Sequence, residues 1–164
     1  MQCTAEQIVI TSGAQQAISL CAQLLVEPGD GVAVENPGYR AAGHAFALAG
    51  GQLHGVPVDG EGIDCQVLNR LQDCRVAYVT PSHQYPMGVV MSLARRLELL
   101  AWAERTEGWI IEDDYDGEYR STGAPLAPPA ALDRSGGVVY VRACGRAAVP
   151  AMRWGHLVVA PVVV

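Results

Sequence analysis

Short apolar runs alternate along this chain with longer stretches in which apolar residues recur every three or four positions. The short runs are rich in β-branched and aromatic side chains and are bounded by Gly, Pro and Asp, which predicts β-strands. The longer stretches have the period of amphipathic helices. Strands are predicted at residues 8–10, 32–35, 51–56, 75–80, 109–111, 138–141 and 155–160.

Helices are predicted between these strands. The first carries its apolar residues on one face, namely Ala17, Ile18, Cys21, Ala22 and Leu25. Two shorter helices follow at residues 44–49 and 65–71, and Asp64 caps the second. Because strands and helices alternate over the whole length, the sequence predicts a three-layer α/β/α fold with a mostly parallel, doubly wound sheet.

A longer helix is predicted after Ser92, whose hydroxyl can cap its first turn. Its apolar residues fall on one side, at Leu93, Leu97, Leu100 and Ala101. Its charged residues fall mostly on the other side, at Arg95, Arg96, Glu98 and Arg105. This pattern predicts that the leucine side packs against the protein and that the arginine side is solvated.

The strand at residues 109–111 ends abruptly in a group of acids. Glu112, Asp113, Asp114 and Asp116 follow it, with Tyr115 among them. Ligands of open α/β sheets bind at the carboxyl ends of the strands, where a carboxylate is available to a cationic group. Asp113 and Tyr115 are interpreted as ligand contacts. Asp114 and Asp116 fit a solvated acidic loop equally well.

Two further loops at the predicted sheet edge have features of a ligand site. Ser12 and Gly13 open onto the first helix, and a helix N-terminus suits a phosphate because of its free N–H groups and dipole. Small residues open many helices, so this signal is weak by itself. Tyr39 follows a Pro-Gly turn, where its ring could lie on a flat ligand. It could equally be the first core residue of the next helix.

Composition excludes several classes of function. The net charge is −6 and there is no basic cluster, which gives nucleic acid no binding surface. No apolar run has membrane-spanning length, and no signal peptide opens the chain. The five cysteines lack CxxC pairs, and His44 and His54 have no partners at metal-ligand spacing, so neither a disulfide framework nor a metal site is expected. A cytoplasmic location fits this cysteine usage.

One compositional feature restricts the chemistry further. All eleven basic residues are arginine, and the chain contains no lysine. GC-rich coding could produce this bias. Whatever its cause, any reaction that needs a lysine amine is excluded.

Six motifs together resemble the core of the aminotransferase class I/II domain, a fold-type I pyridoxal-phosphate fold. They are SGAQQA, ENPGY, TPSHQYPMG, IIEDDYDGEY, VVYV and PAMRWGHLVV. The resemblance is strongest to the aminotransferase-like half of MocR-type transcription regulators of the GntR group. It extends from about residue 8 to residue 161 of the chain.

The resemblance implies how the ring of pyridoxal phosphate would be held. Tyr39 would stack on the pyridine ring, and His83 and Gln84 would lie near its edge. Asp113 would pair with the ring nitrogen and keep it protonated, which makes the ring an electron sink. Tyr115 would hydrogen-bond the phenolic oxygen of the ring.

The resemblance also implies a phosphate site, formed by Gly13, Ala14, Gln15 and Arg153. The segment before Arg153 departs from the family, whose members carry phosphate-binding hydroxyls and a Schiff-base lysine there. This chain has Ala143 and Gly145 at the hydroxyl positions and Arg146 at the lysine position. A guanidinium stays protonated and offers no free amine, so Arg146 cannot replace the lysine.

Residues 1–164 are interpreted as a partial large domain, without a winged helix or a C-terminal small domain. The predicted function is a pyridoxal-phosphate-binding, aminotransferase-like domain that is impaired in transamination. A non-catalytic, effector-sensing module of a MocR-type regulator is the alternative, and a residual open reading frame without a stable product is a third hypothesis. The implied ligand is an amino acid or amine, and the full domain would be a homodimer.

Overall fold

The computed structural model describes residues 3–116, 126–143 and 154–159. Its strands are β1 Ile8–Thr11, β2 Gly31–Asn36, β3 Gln52–Asp59, β4 Gly62–Ile63, β5 Cys74–Val79, β6 Trp109–Asp113, β7 Val138–Ala143 and β8 Gly155–Val158. Its α-helices are α1 Ala14–Leu25, α2 Arg40–Leu48, α3 Cys65–Leu68, α4 Leu93–Thr106 and α5 Pro129–Leu132. Each predicted strand overlaps an observed one, and the short β4 is an addition.

The strands form a single sheet in the order β1-β8-β7-β6-β5-β2-β3-β4. The neighbours β7, β6, β5, β2 and β3 all run parallel, which confirms the predicted mostly parallel sheet. β8 runs antiparallel to both of its neighbours, and β4 runs antiparallel to β3. The carboxyl ends of the parallel strands therefore meet along one edge of the sheet.

Helices cover both faces of the sheet, which confirms the predicted three layers. α1 and α2 pack on one face, where Ile18 and Phe46 are fully buried. α3 and α4 pack on the other face through residues such as Leu68 and Trp102. Alternate residues of β6 contribute to the two cores, as the pleat of a strand requires.

Two of the predicted helix caps are observed. The Asp64 carboxylate accepts hydrogen bonds from the backbone N–H groups of the first turn of α3. The Ser92 hydroxyl accepts one from the N–H of Arg95 at the start of α4. α2 begins at Arg40, earlier than predicted, and α3 ends at Leu68, earlier than predicted.

The predicted sides of α4 are wrong. Its buried residues are Arg96, Leu99, Trp102 and Ala103. Leu93 is 47% exposed and Leu97 is 52% exposed, although both were placed on the packed side. The side of the helix that meets the sheet carries the large, fully buried side chain of Trp102.

Arg96 is fully buried because its guanidinium is satisfied by backbone carbonyls. It donates to the carbonyls of Met91, Pro81 and Ala127 at 2.9 to 3.0 Å. A buried cation that makes several charge-assisted hydrogen bonds avoids much of the cost of leaving water. This arginine therefore joins α4 to the loop after β5 and to the segment that precedes α5.

No helix in the described ranges is long and apolar enough to cross a membrane. Within the same ranges, no group of three or more His, Cys, Asp and Glu side chains is arranged to hold a metal ion. The cysteines at positions 3, 21, 65 and 74 are free.

Candidate functional site

The last residues of β6 send consecutive acids to opposite faces of the sheet. Asp113 lies on the α1 and α2 face together with Ile111, whereas Glu112 lies on the α4 and α5 face together with Ile110. Both acids are buried, with exposures of 4% for Asp113 and 0% for Glu112. The sheet edge therefore carries two different acidic environments only one residue apart.

Asp113 has one oxygen bound and one oxygen without a partner. Its Oδ2 accepts a hydrogen bond from the Tyr78 hydroxyl at 2.6 Å. Its Oδ1 is buried and has no hydrogen-bond partner in the part of the chain that the structure describes. Burial raises the pKa of Asp113 to about 6, the Tyr78 hydrogen bond opposes this, and the charge of Asp114 adds to it. This carboxyl is still mainly ionised at pH 7 and would gain from a cationic donor.

Four aromatic rings contact one another in a row, which we call the aromatic row: Tyr39, Tyr85, Tyr115 and His83. Tyr39 and Tyr85 meet edge to face, with ring centroids 6.0 Å apart. Tyr115 then contacts Tyr85 and His83 in the same manner, each at 6.2 Å. Such contacts are the preferred geometry of aromatic pairs. The row brings together three residues that the sequence had singled out and adds Tyr85.

Sequence reasoning missed Tyr85, although it stands beside His83 and Gln84 in the same motif. Its ring contacts both Tyr39 and Tyr115, so it occupies the middle of the row. It is 46% exposed. Tyr85 lies within the predicted polar loop, between Pro81 and Pro86, and this position was the one indication of its role in the sequence.

The N-terminus of α1 is linked to the aromatic row through Gln15. Gly13 caps the helix with a φ of 101°, a conformation that favours glycine. Ala14 is the first helical residue. The Tyr39 hydroxyl donates to Gln15 Oε1 at 3.2 Å, and Gln15 Nε2 donates to the Ala41 carbonyl at the same distance. The three predicted phosphate contacts therefore lie next to the predicted ring contact.

Tyr39 precedes α2 as its N-cap residue and is 38% exposed. The alternative that it is the first core residue of this helix is therefore wrong. The core on this side of α2 is built instead by Ala42, Gly43 and Phe46. The Tyr39 ring is left available at the sheet edge.

The two remaining predicted ring contacts differ from each other. His83 is half-exposed, with its Nδ1 3.8 Å from Asp116 Oδ2. Gln84 is 1% exposed, and the two N–H groups of its Nε2 are shared among three acceptors at 2.7 to 3.1 Å, namely Glu35 Oε2, the Pro37 carbonyl and the Tyr85 carbonyl. The amide of Gln84 therefore holds two loops together. Its contact with a cofactor stays a prediction.

The opposite face of the edge is closed by protein contacts. Glu112 Oε2 accepts from the Ala130 N–H at 2.9 Å, and burial raises the pKa of Glu112 to about 8. Asp114 is 8% exposed and accepts from the Tyr140 hydroxyl at 2.5 Å, so its interpretation as a solvated acid is wrong. Asp116 keeps partial exposure next to His83.

Two predicted site residues, Arg146 and Arg153, lie outside the described residues, as does Gly145. Ala143 ends β7, whose neighbour β6 ends at Asp113, and the two residues Asp113 and Val141 are paired in register. The chain thus leaves β7 at the same sheet edge as Asp113. The roles of the two arginines stay predictions.

The family model for aminotransferase class I and II matches residues 1–163. The chain belongs to this family. The predicted family is thereby confirmed.

Relatives of this aminotransferase class I and II chain include both regulators and enzymes. The probable rhizopine catabolism regulatory protein MocR of Rhizobium meliloti is 38% identical over 161 residues, which are 98% of this chain and 32% of that protein. Aromatic-amino-acid aminotransferase 1 of Thermococcus litoralis is 35% identical over 94% of this chain and 39% of that protein. The chain therefore spans only 32 to 39% of the length of these two curated relatives.

Solved structures of aminotransferases share the fold. The kynurenine aminotransferase of Pyrococcus horikoshii, in complex with PMP and KYN, matches 95% of this chain and 41% of its own, with a TM-score of 0.90 and 36% identity. LysN, an α-aminoadipate aminotransferase of Thermus thermophilus complexed with N-(5'-phosphopyridoxyl)-L-leucine, matches 96% of this chain and 42% of its own, with a TM-score of 0.88 and 31% identity. Pyridoxal-type cofactors are thus bound by structural relatives of this aminotransferase class I and II chain.

Proposed function

We propose that this chain is part of an aminotransferase-like large domain that binds pyridoxal phosphate non-covalently and does not transaminate. The observation that carries the proposal is the unpartnered, buried Oδ1 of Asp113, which stands two residues before Tyr115 of the aromatic row. A buried carboxylate oxygen without a donor is costly unless something supplies one. The protonated ring nitrogen of the cofactor is a donor of the right charge.

The other described residues are chemically suited to the rest of the cofactor. Tyr39 is exposed enough to stack on a pyridine ring, and Tyr115 lies in the same aromatic row. Gly13, Ala14 and Gln15 form the N-terminus of a twelve-residue helix, which favours a phosphate. When bound, pyridoxal phosphate acts as an electron sink for a carbanion at the amino carbon of a substrate. The residues of this chain would bind and orient the ring, and Asp113 would hold a proton at its nitrogen.

The absence of turnover follows from the amino acids at one position and from the composition. Arg146 stands where the family places the Schiff-base lysine, and no lysine occurs elsewhere in the chain. The lysine in such enzymes also moves the proton of the substrate, a task that a permanently protonated guanidinium cannot perform. We therefore expect the chain to keep residues that bind the cofactor and to lack the residue that would transfer the proton of the substrate.

A second candidate is an effector-sensing module of a MocR-type regulator. The observation that favours it is the 38% identity to the MocR protein of Rhizobium meliloti across nearly the whole chain. In this case an amino acid or amine would bind together with the cofactor and would be recognised without being converted. As in the first case, the complete domain would act as a homodimer.

The test uses the chain with pyridoxal phosphate or pyridoxamine phosphate, with and without a panel of amino acids. Saturable binding without conversion of the cofactor is the expected result. Tightening of the cofactor affinity by one amino acid or amine would favour the sensor, whereas cofactor conversion would contradict the proposed lack of turnover. Borohydride reduction followed by peptide mapping should give no covalent adduct on any internal residue.

A further inference from the structure

Glu35 is a buried acid near the end of β2 that none of the proposed cofactor contacts includes. It is 4% exposed, and its described partners are neutral donors. Oε1 accepts from the Thr80 N–H at 3.2 Å, while Oε2 accepts from the Thr80 hydroxyl at 2.6 Å and from Gln84 Nε2 at 3.1 Å. Three donors from the end of β5 and the loop after it therefore converge on this one carboxylate.

Both partners of Glu35 hold the backbone of Tyr85. Thr80 Oγ1 accepts from the Tyr85 N–H at 3.0 Å, and Gln84 Nε2 donates to the Tyr85 carbonyl at 2.7 Å. Gln84 Nε2 also donates to the carbonyl of Pro37, two residues before Tyr39, at 2.9 Å. Glu35 thus connects the loop that carries Tyr39 with the loop that carries Tyr85.

We propose that Glu35 is a positioning residue, which fixes the spacing of the Tyr39 and Tyr85 rings. It thereby shapes the part of the proposed cofactor site that would face the pyridine ring. A carboxyl group can accept from all three donors at once, because both of its oxygens carry lone pairs and it has no N–H group. An amide at this position would present its own donors to the Thr80 hydroxyl and the Gln84 amide. The part of this proposal that concerns a ligand rests on the proposed cofactor site, whereas the ring spacing does not.

The decisive variant is Glu35→Gln, which keeps the size of the side chain and removes its capacity to accept from all three donors. Thr80→Val and Thr80→Ser form a second pair, since only serine keeps the hydroxyl that links Glu35 to the Tyr85 N–H. Ile63→Val is the stability control, because Ile63 is fully buried in the core of the opposite face. Thermal unfolding of every variant shows which of them fold.

The first measurement needs no ligand. In the parent chain, nuclear Overhauser cross-peaks between the ring protons of Tyr39 and Tyr85 are expected from their edge-to-face contact. Glu35→Gln and Thr80→Val should lose these cross-peaks, whereas Thr80→Ser and Ile63→Val should retain them. Cross-peaks that persist in both Glu35→Gln and Thr80→Val would overturn the proposal, and the Thr80 pair decides it if Glu35→Gln does not fold.

The second measurement is the affinity for pyridoxamine phosphate. Glu35→Gln should weaken binding by about tenfold, the size of one lost hydrogen bond to a charged group, while Ile63→Val should leave it unchanged. Equal affinities of Glu35→Gln and the parent chain would overturn the link between Glu35 and the ligand site. If the parent chain does not bind at all, the proposed function fails, and the cross-peaks still decide whether Glu35 positions the rings.

Discussion

The two faces of the sheet edge at the end of β6 each bury an acid, yet their surroundings differ. On the α1 and α2 face, Asp113 accepts from Tyr78 and is followed two residues later by Tyr115 of the aromatic row. On the α4 and α5 face, Glu112 accepts from a backbone N–H; burial raises its pKa, and the charge of the fully buried Arg96 only partly opposes this rise. Both acids keep one buried oxygen without a partner among the described residues.

An unpartnered buried oxygen is therefore not enough to identify a ligand site. The pKa separates the two acids, since burial raises it to about 6 for Asp113 and to about 8 for Glu112. At pH 7 Asp113 is mainly ionised and suits a cation, whereas Glu112 is mainly protonated and can act as a neutral donor or acceptor. An ionised acid at the sheet edge that carries the aromatic row favours a ligand, and a neutral acid close to the buried Arg96 favours a structural role.

The largest expected effect concerns the structural face. Arg96→Met should lower the free energy of unfolding by about 3 to 5 kcal/mol, because three carbonyls lose a charged donor inside the protein. Arg105→Met, on the exposed side of the same helix, should cost less than about 1 kcal/mol. Urea denaturation of both variants measures the difference. Similar losses would show that the buried network of Arg96 contributes little.

The next effect concerns the ligand face. Asp113→Asn should weaken the binding of pyridoxamine phosphate by about 10- to 100-fold, since a charged hydrogen bond to the ring nitrogen is lost. Glu112→Gln is the matched control and should change the affinity by less than about twofold, because Glu112 lies on the other face. Calorimetric titration compares the two. A larger loss for Glu112→Gln would reverse the assignment of the two faces.

The strands were predictable because a short apolar run bounded by turn residues is compatible with few secondary structures other than a β-strand. The sequence also placed Asp113 and Tyr39 at the sheet edge, from motifs of adjacent residues. It could not place Tyr85, Glu35 and Tyr78 around them, because these contacts join residues far apart in the chain. The helix pattern failed at α4, where hydrogen bonds to carbonyls let an arginine occupy the core.

Stability should fall as the pH rises from 5 to 8, the opposite of the usual acid behaviour. The pKa values of Asp113, Glu35 and Glu112 are raised in the folded protein to about 6, 7 and 8, chiefly by burial. The folded state therefore binds more protons than the unfolded state in this range, and each group contributes a loss of up to about 1.4 kcal/mol per pH unit. For each of these carboxyl groups, the stabilisation is fully present below the pKa of the group in the unfolded state. It is lost as the pH rises through the pKa of the group in the folded state.

Glu112→Gln sharpens this expectation, since it removes the group with the highest raised carboxyl pKa. Its unfolding free energy should depend on pH less steeply than that of the parent, above all between pH 6 and 8. Denaturant titrations at each pH unit provide the slopes. Parallel slopes for the two proteins would mean that Glu112 does not titrate as its burial predicts.

The smallest expected effects concern two tyrosine hydroxyls, one on each face of the sheet edge. Tyr78 donates to Asp113 at 2.6 Å and Tyr140 donates to Asp114 at 2.5 Å, so Tyr78→Phe and Tyr140→Phe remove equivalent hydrogen bonds. Each should change stability by about 1 kcal/mol.

Only Tyr78→Phe should also weaken pyridoxamine phosphate binding, by about threefold to tenfold at pH 7. The reason is that the Tyr78 hydrogen bond holds down the pKa of Asp113, and its loss leaves more of this carboxyl protonated and unable to pair with a cation. The affinity of Tyr78→Phe should therefore recover partly at pH 8, while that of Tyr140→Phe should match the parent at both pH values; equal losses in the two variants would show that the faces are coupled.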